Sequence, residues 1–239
     1  MKWQAKYPNA INLPQSWQQL PRGERYCTAI SDYFGKWLPK ILGYQILKIG
    51  GLSGEIQCNL PLRHQMIIAP EISKKITALY ADQADYSLIQ ANPTELPLVE
   101  KSIDACFLAN TINFSQDPHQ LLREVERVTM ADGYLFISLF NPAGTLLFKR
   151  YLNKSPDKFL FRRFCAWRVV DWLELLNFEV LDMQYIEIKK SVHFARHFAP
   201  LITIVARKRT FPLCLTPQKV RFNPKEILNP VEAFQEKCK

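Results

Sequence analysis

The sequence predicts an α/β protein: a seven-stranded, mostly parallel sheet with helices on both faces. Three observations carry that expectation. Short apolar runs alternate with helix-forming stretches through five rounds, the pattern of crossover-connected parallel strands. Two further strand-like runs follow, near Glu179–Lys189 and Pro200–Arg207. The first apolar run, Ile46, Leu47 and Ile49, leads into Gly50, Gly51 and Gly54, although the chain holds only 8 glycines. Such a cluster after a buried strand marks a tight turn that a ligand can approach closely.

The elements follow in order. Residues 1–21 carry Pro8, Pro14 and Pro21, which block a long helix, so they are expected to wrap over the surface. From Arg22 to Leu42, apolar residues Tyr26, Ile30, Tyr33, Phe34, Trp37, Leu38 and Ile41 recur at helical steps. This predicts an amphipathic helix, kinked near Pro39 and ended by Gly43. After the glycine turn, Gln65–Ala69 reads as the second strand and Ile72–Tyr80 as a helix. Tyr86–Gln90 and Ile103–Ala109 are the third and fourth strands. Asp117 then reads as an N-cap with Pro118 at the first helical position, and Leu121, Leu122, Val125 and Val128 form the inner helical face. Asp132-Gly133 is expected to turn into the fifth strand, Tyr134–Phe140. A helix is expected near Val169–Leu176. The organisation is thus a surface segment and helix over 1–43, a domain over 44–209, and a basic, Pro-containing tail over 210–239. Residues 148–176 form a cover segment inside that domain.

Composition narrows the function classes. At 48% hydrophobic and 22% charged, the 239 residues suit a globular domain with a sizeable core. No apolar run reaches the length of a membrane span, and the N-terminus lacks a signal-peptide core, so a cytoplasmic protein is expected. The six cysteines are scattered without a CxxC pair, which argues against a disulfide framework or zinc site. His193 and His197 are four apart but have no neighbouring carboxylate. They read as surface or substrate contacts, and no metal is expected. The net charge of +9 is concentrated. Residues 148–168 hold seven lysines and arginines against Asp157, a net +6, and residues 207–239 a net +5. Cations interleaved with aromatics suit an anionic acceptor, single-stranded nucleic acid or a membrane surface, or form a helical cover with solvated cations.

Leu96-Pro-Leu-Val-Glu-Lys-Ser-Ile-Asp104, and Asp117 through Val128 to Gly133 and the fifth strand, resemble class I S-adenosylmethionine-dependent methyltransferases with a methyltransferase-11-type domain. The resemblance covers roughly residues 44–142. With Leu20–Gly23 and Val205–Thr210, the whole chain also resembles a small set of uncharacterised bacterial methyltransferase-like proteins, which supply no substrate. The resemblance implies a Rossmann-like fold, S-adenosylmethionine as cofactor, and a site at the carboxyl ends of the strands. The turn Gly50, Gly51, Leu52 and Gly54 would face the amino-acid part of the cofactor. Glu71 and Ile72 would meet the ribose, Asn92 and Pro93 the adenine, and Asn110 and Thr111 would lie beneath the reacting methyl group. Asn141, Tyr151, His193 and His197 are the candidate acceptor contacts.

Two residues depart from the family's loop. Lys48 stands where an acidic residue is usual, and Leu52 occupies the second glycine position. Leu52 is therefore expected to crowd the methionine part, with backbone strain if the position requires positive φ. Asp104 is expected to be structural, and Glu124 with Arg127 to form a helix-surface pair. The function expected is methyl transfer to an unidentified small-molecule or anionic acceptor. The alternative is a catalytically silent relative that binds a partner or nucleic acid through residues 148–168 and the tail. A nicotinamide-dependent oxidoreductase fits poorly, because the two matched passages have no counterpart in its fingerprint.

Overall fold

The computed structural model describes residues 6, 11, 13–58, 63–81, 83–144, 161–187 and 199–209. Tyr151, His193, His197, most of the basic segment and the 210–239 tail lie outside them.

Seven strands form one sheet: β1 (Gln45–Ile49), β2 (His64–Ala69), β3 (Tyr86–Gln90), β4 (Ile103–Ala109), β5 (Thr129–Phe140), β6 (Phe178–Ile186) and β7 (Leu201–Lys208). Their order is β3-β2-β1-β4-β5-β7-β6. The first five are parallel, and β7 runs antiparallel to both β5 and β6. The order reverses between β1 and β4, so the crossovers diverge there and leave a crevice beyond the strand ends.

Both faces of the sheet are covered, so β1, β2 and β4 are buried along nearly their whole length. On one face, α5 (Pro118–Val128) and α6 (Ala166–Leu175) press Leu121, Leu122, Val125, Val169 and Leu173 onto Leu47, Ile49, Cys106, Leu108 and Ile137. On the other, α1 (Gly23–Gly35) and the segment before it pack Trp17, Ile30 and Phe34 onto Ile46, Phe107 and Phe136. Phe107 and Phe136 stack at 4.5 Å, and Phe34 meets both edge-on. The short α2 (Gly51–Gly54) and α4 (Thr111–Phe114) follow β1 and β4, and α3 (Lys74–Tyr80) buries Ile76 against Ile67.

The boundaries of β3 and β4, and the Asp117 cap with Pro118 behind it, fall where the sequence places them; Asp117 Oδ1 accepts the Gln120 N–H at 3.0 Å. Three expectations need correction. The first long helix stops at Gly35 rather than Leu42, and a 3-10 turn covers Leu38–Lys40. Pro39 has no N–H with which to continue the α-helical hydrogen-bond ladder. Asp132-Gly133 does not precede β5 but lies inside it. Asp132 adopts φ 60, and the β4–β5 register shifts between Ile103 and Ala105, so one strand bends through an irregularity instead of starting after a turn. Glu124 and Arg127 do more than decorate a helix. The guanidinium binds both carboxylate oxygens, at 3.1 and 2.8 Å, and donates to the Leu96 and Leu98 carbonyls, while Glu124 accepts the Leu96 N–H. The pair thus pins the Leu96–Asp104 passage to α5. Asp104 is structural as expected, accepting the Tyr44 and Gln45 amides at 2.9 Å each.

Among the described residues, no helix is long and apolar enough to cross a membrane, and no cluster of three His, Cys, Asp or Glu could hold a metal ion.

Candidate functional site

The crevice at the head of the sheet is built from the turn after β1 outward. Gly50 takes φ 90, and a Cβ there would stand 3.2 Å from Thr111 Oγ1, so both conformation and space call for glycine. Its N–H donates to the Ile68 carbonyl at 2.8 Å. Thr111 Oγ1 donates to the Ile49 carbonyl at 2.7 Å, and Ser53 Oγ accepts the Ala109 N–H at 2.8 Å. These two hydroxyls staple the ends of β1 and β4 together and fix the width of the opening. Sequence reading gave Ser53 no part in this, because a serine within a glycine turn carries no distinguishing signal.

Two cavities open there. The larger, about 690 Å³, is lined by Pro70, Gln90–Glu95, Thr111, Phe114–Asp117, Gln120 and Leu121, with Ile11 and Leu13 from the N-terminal segment. The smaller, about 310 Å³, lies between Gly51, Ala69, Pro70 and Glu71 on one side and Ile11, Leu13, Pro14 and Gln15 on the other. Glu71 stands exposed just past β2, where its carboxylate accepts a hydrogen bond from Gln15 Nε2. Asn92 Oδ1 accepts the Thr94 N–H at 3.1 Å and keeps a second lone pair.

Of the predicted cofactor residues, the structure therefore brings Gly51, Glu71, Asn92 and Pro93, with Thr111, to the walls of the crevice. Gly50 shapes the turn beside Thr111 without lining either cavity, and the others lie elsewhere. Gly54 is closed in by Ile76 and Ile67, and Ile72 packs against the α3 cluster. Asn110 is fully buried in the left-handed conformation; its Oδ1 accepts from Ser138 Oγ at 2.6 Å and its Nδ2 donates to Asn113. It is a polar joint between β4 and β5. Asn141 is likewise spent on structure, donating to the Ala199 carbonyl at 2.7 Å and accepting the Ala143 N–H.

The two departures from the family pattern also face elsewhere. Leu52 lies within α2, not at positive φ, and its side chain is buried beside Trp17, Ile30 and Phe107. The expected strain does not arise, and Leu52 lines neither cavity. Lys48, on β1, lines neither cavity. It is fully buried, and its Nζ donates to the Ile56 carbonyl at 2.7 Å, with the Tyr80 and Tyr86 rings each 5.7 Å away. Burial depresses its pKa below the ordinary lysine value, outweighing the nearby Cys58 and Cys27 thiols. The same burial pushes Cys27 up to about 11.

Sequence reading also missed the segment that faces Gly51 and Glu71. Trp17, fully buried, donates its indole N–H to the Leu52 carbonyl at 2.8 Å, and Ile11, Leu13, Pro14 and Gln15 before it line the crevice. Pro14 and Trp17 signalled only a surface wrap, since nothing local to them names the turn they meet.

Residues 47–137 match the model of a methyltransferase domain. Over 97% of its length the chain is 34% identical to the uncharacterized protein YafS of Escherichia coli strain K12, of which it covers 96%. The chain belongs to the methyltransferase-domain family. The fold agrees. An S-adenosylmethionine-dependent methyltransferase from Mesorhizobium loti superposes with a TM-score of 0.54 at 14% identity, over 74% of this chain and 99% of that one. The [4+2]-cyclase SpnF superposes with a TM-score of 0.56 at 16% identity, over 86% of each chain. A cyclase among proteins of this fold shows that likeness of fold at this level does not fix the reaction.

Proposed function

We propose that this chain binds S-adenosylmethionine in the crevice and transfers its methyl group to an acceptor. The observation that carries the reading is the juxtaposition of Gly51, Glu71, Asn92 and Pro93 around adjoining cavities at the switch point of the sheet. When bound, the cofactor supplies an electrophilic methyl on a sulfonium. Glu71 accepts hydrogen bonds from the two ribose hydroxyls, and Asn92 Oδ1 accepts one from the adenine amine. Pro93 packs on the adenine, and Gly51 lets the backbone come close to the amino-acid end. Thr111, already committed to Ile49, holds the floor rather than taking part in chemistry. Methyl transfer needs alignment and exclusion of water more than a general base, so these residues act by positioning.

The acceptor is proposed to be a small molecule or an anionic one. Arg162, at the described end of the basic segment, reaches the Gln116 carbonyl at 2.8 Å, and Gln116 lines the larger cavity. Tyr151, His193 and His197 remain proposed acceptor contacts.

Calorimetry with S-adenosylmethionine and S-adenosylhomocysteine tests the reading. Micromolar binding is expected, weakened about tenfold or more by Glu71→Ala, since hydrogen bonds to a charged group are worth roughly 1.5–3 kcal/mol. Asn92→Ala should cost less. No heat at millimolar ligand would refute it and favour a partner-binding protein.

A further inference from the structure

Leu13, Pro14 and Gln15 wall the smaller cavity together with Gly51 and Glu71, and the chain from Pro14 onward is firmly held. Pro14, Ser16 and Trp17 are buried. The Gln15 N–H donates to Gln19 Oε1 at 2.8 Å, and the Trp17 indole N–H to the Leu52 carbonyl at 2.8 Å. Lys75, on α3, donates to Ser16 Oγ at 3.4 Å and to the Glu55 carboxylate at 2.9 Å. The Gln15 backbone also rests on the glycine turn. A Cβ on Gly51 would stand 2.7 Å from the Gln15 carbonyl oxygen and 2.9 Å from its Cα. Both are backbone atoms that cannot swing aside, so the missing side chain at Gly51 is what seats Gln15 there.

From that fixed backbone the Gln15 side chain meets Glu71, with Nε2 donating to Oε2. Glu71 itself is exposed, just past the end of β2. An exposed glutamate loses rotamer freedom when it takes hold of a ligand, and a neighbour that has already oriented it removes part of that loss. A carboxylate offers about four lone-pair sites, so Gln15 on one of them leaves room for two hydroxyls. We propose that Gln15 is a positioning residue, holding the Glu71 carboxylate ready for the ribose hydroxyls of the cofactor. The proposal rests on the cofactor reading above. It carries the site beyond the matched domain, since Gln15 lies outside residues 47–137. The stretch from Leu13 to Trp17 is thereby a fixed wall of the site rather than a surface wrap.

The test is a set of calorimetric titrations of the full chain with S-adenosylhomocysteine, each variant also being melted thermally. Gln15→Met keeps the length of the side chain without its donor, and Gln15→Lys keeps a donor. Gln15→Met should weaken binding about three- to tenfold at an unchanged melting temperature, and Gln15→Lys should restore it to within about twofold of wild type. In a Glu71→Ala background, Gln15→Met should have no further effect, because Gln15 acts only through that carboxylate. Unchanged binding by Gln15→Met would overturn the proposal. So would equal weakening by Gln15→Met and Gln15→Lys, which would make the role one of packing, or the same weakening with and without Glu71. Wild-type protein that takes up no S-adenosylhomocysteine at millimolar concentration ends the cofactor reading and this role with it. Wild-type binding that Gln15→Met leaves intact ends this role alone.

Discussion

Lys48→Glu restores the acidic residue usual in the family, and it should damage this protein. Nζ of Lys48 is the donor to the buried Ile56 carbonyl, at 2.7 Å in a fully buried position. A glutamate there removes the donor, leaves a buried carbonyl unsatisfied and sets a carboxylate among the Tyr80 and Tyr86 rings and the Cys58 thiol. Losing the bond and orphaning its acceptor costs roughly 1–3 kcal/mol, and an unpaired buried charge brings the total to about 3–5 kcal/mol. At about 2–4 °C per kcal/mol for a domain of this size, the melting temperature should fall by about 6–20 °C. Urea unfolding followed by circular dichroism at pH 8 measures the loss. Acidification should restore part of it, because a protonated glutamic acid again offers a donor to Ile56. Cofactor affinity of the folded fraction should not change, since Lys48 lines neither cavity. A variant as stable as the wild type at pH 8, or one binding S-adenosylhomocysteine tenfold more tightly, would refute the reasoning and place this side chain in the site.

Other substitutions probe the same arrangement. Burial lowers the Lys48 pKa from 10.5, so between that value and the depressed one the unfolded chain holds more protons than the folded. The Lys48 contribution is therefore full above about pH 10.5 and is lost as pH falls, so Lys48→Met should gain stability relative to wild type from pH 10 to pH 7; a constant gap in paired urea melts would contradict this. Leu52→Gly deletes a buried side chain and adds helix-interior glycine, costing about 3–5 kcal/mol in thermal or urea melts without tightening cofactor binding. Tighter binding would return Leu52 to the pocket rim. Arg127→Ala strips Glu124, Leu96 and Leu98 of a shared donor in a partly buried setting, and should cost about 2–3 kcal/mol with faster amide exchange over residues 96–104. A loss below about 0.5 kcal/mol would show only the ordinary surface pair.

Much of the fold was legible locally. Ile103–Ala109 stands out because a strand buried on both faces is almost wholly apolar, and Asp117-Pro118 because a helix start needs a side-chain acceptor and tolerates a residue without N–H. Glu71 and Asn92 could be placed at strand ends by counting along the alternation, and both reach the crevice. Asn110 was placed by the same counting yet is sealed beneath the surface, because its left-handed backbone and the Ser138 hydroxyl turn its amide inward. Position relative to a strand end is a one-dimensional quantity, whereas access to a cleft depends on which neighbours satisfy the side chain first.

The chain's own periodicity determined an α/β protein, its strand succession and the glycine turn that heads the sheet, because burial and backbone conformation act over a few residues. Only the folded molecule decided that Lys48 serves the Ile56 carbonyl, that Leu52 belongs to the core, and that Gln15 lies across Gly51 onto Glu71. Each of those is a meeting of residues joined through space, where a hydrogen bond or a 2.7 Å approach depends on packing that no local pattern encodes.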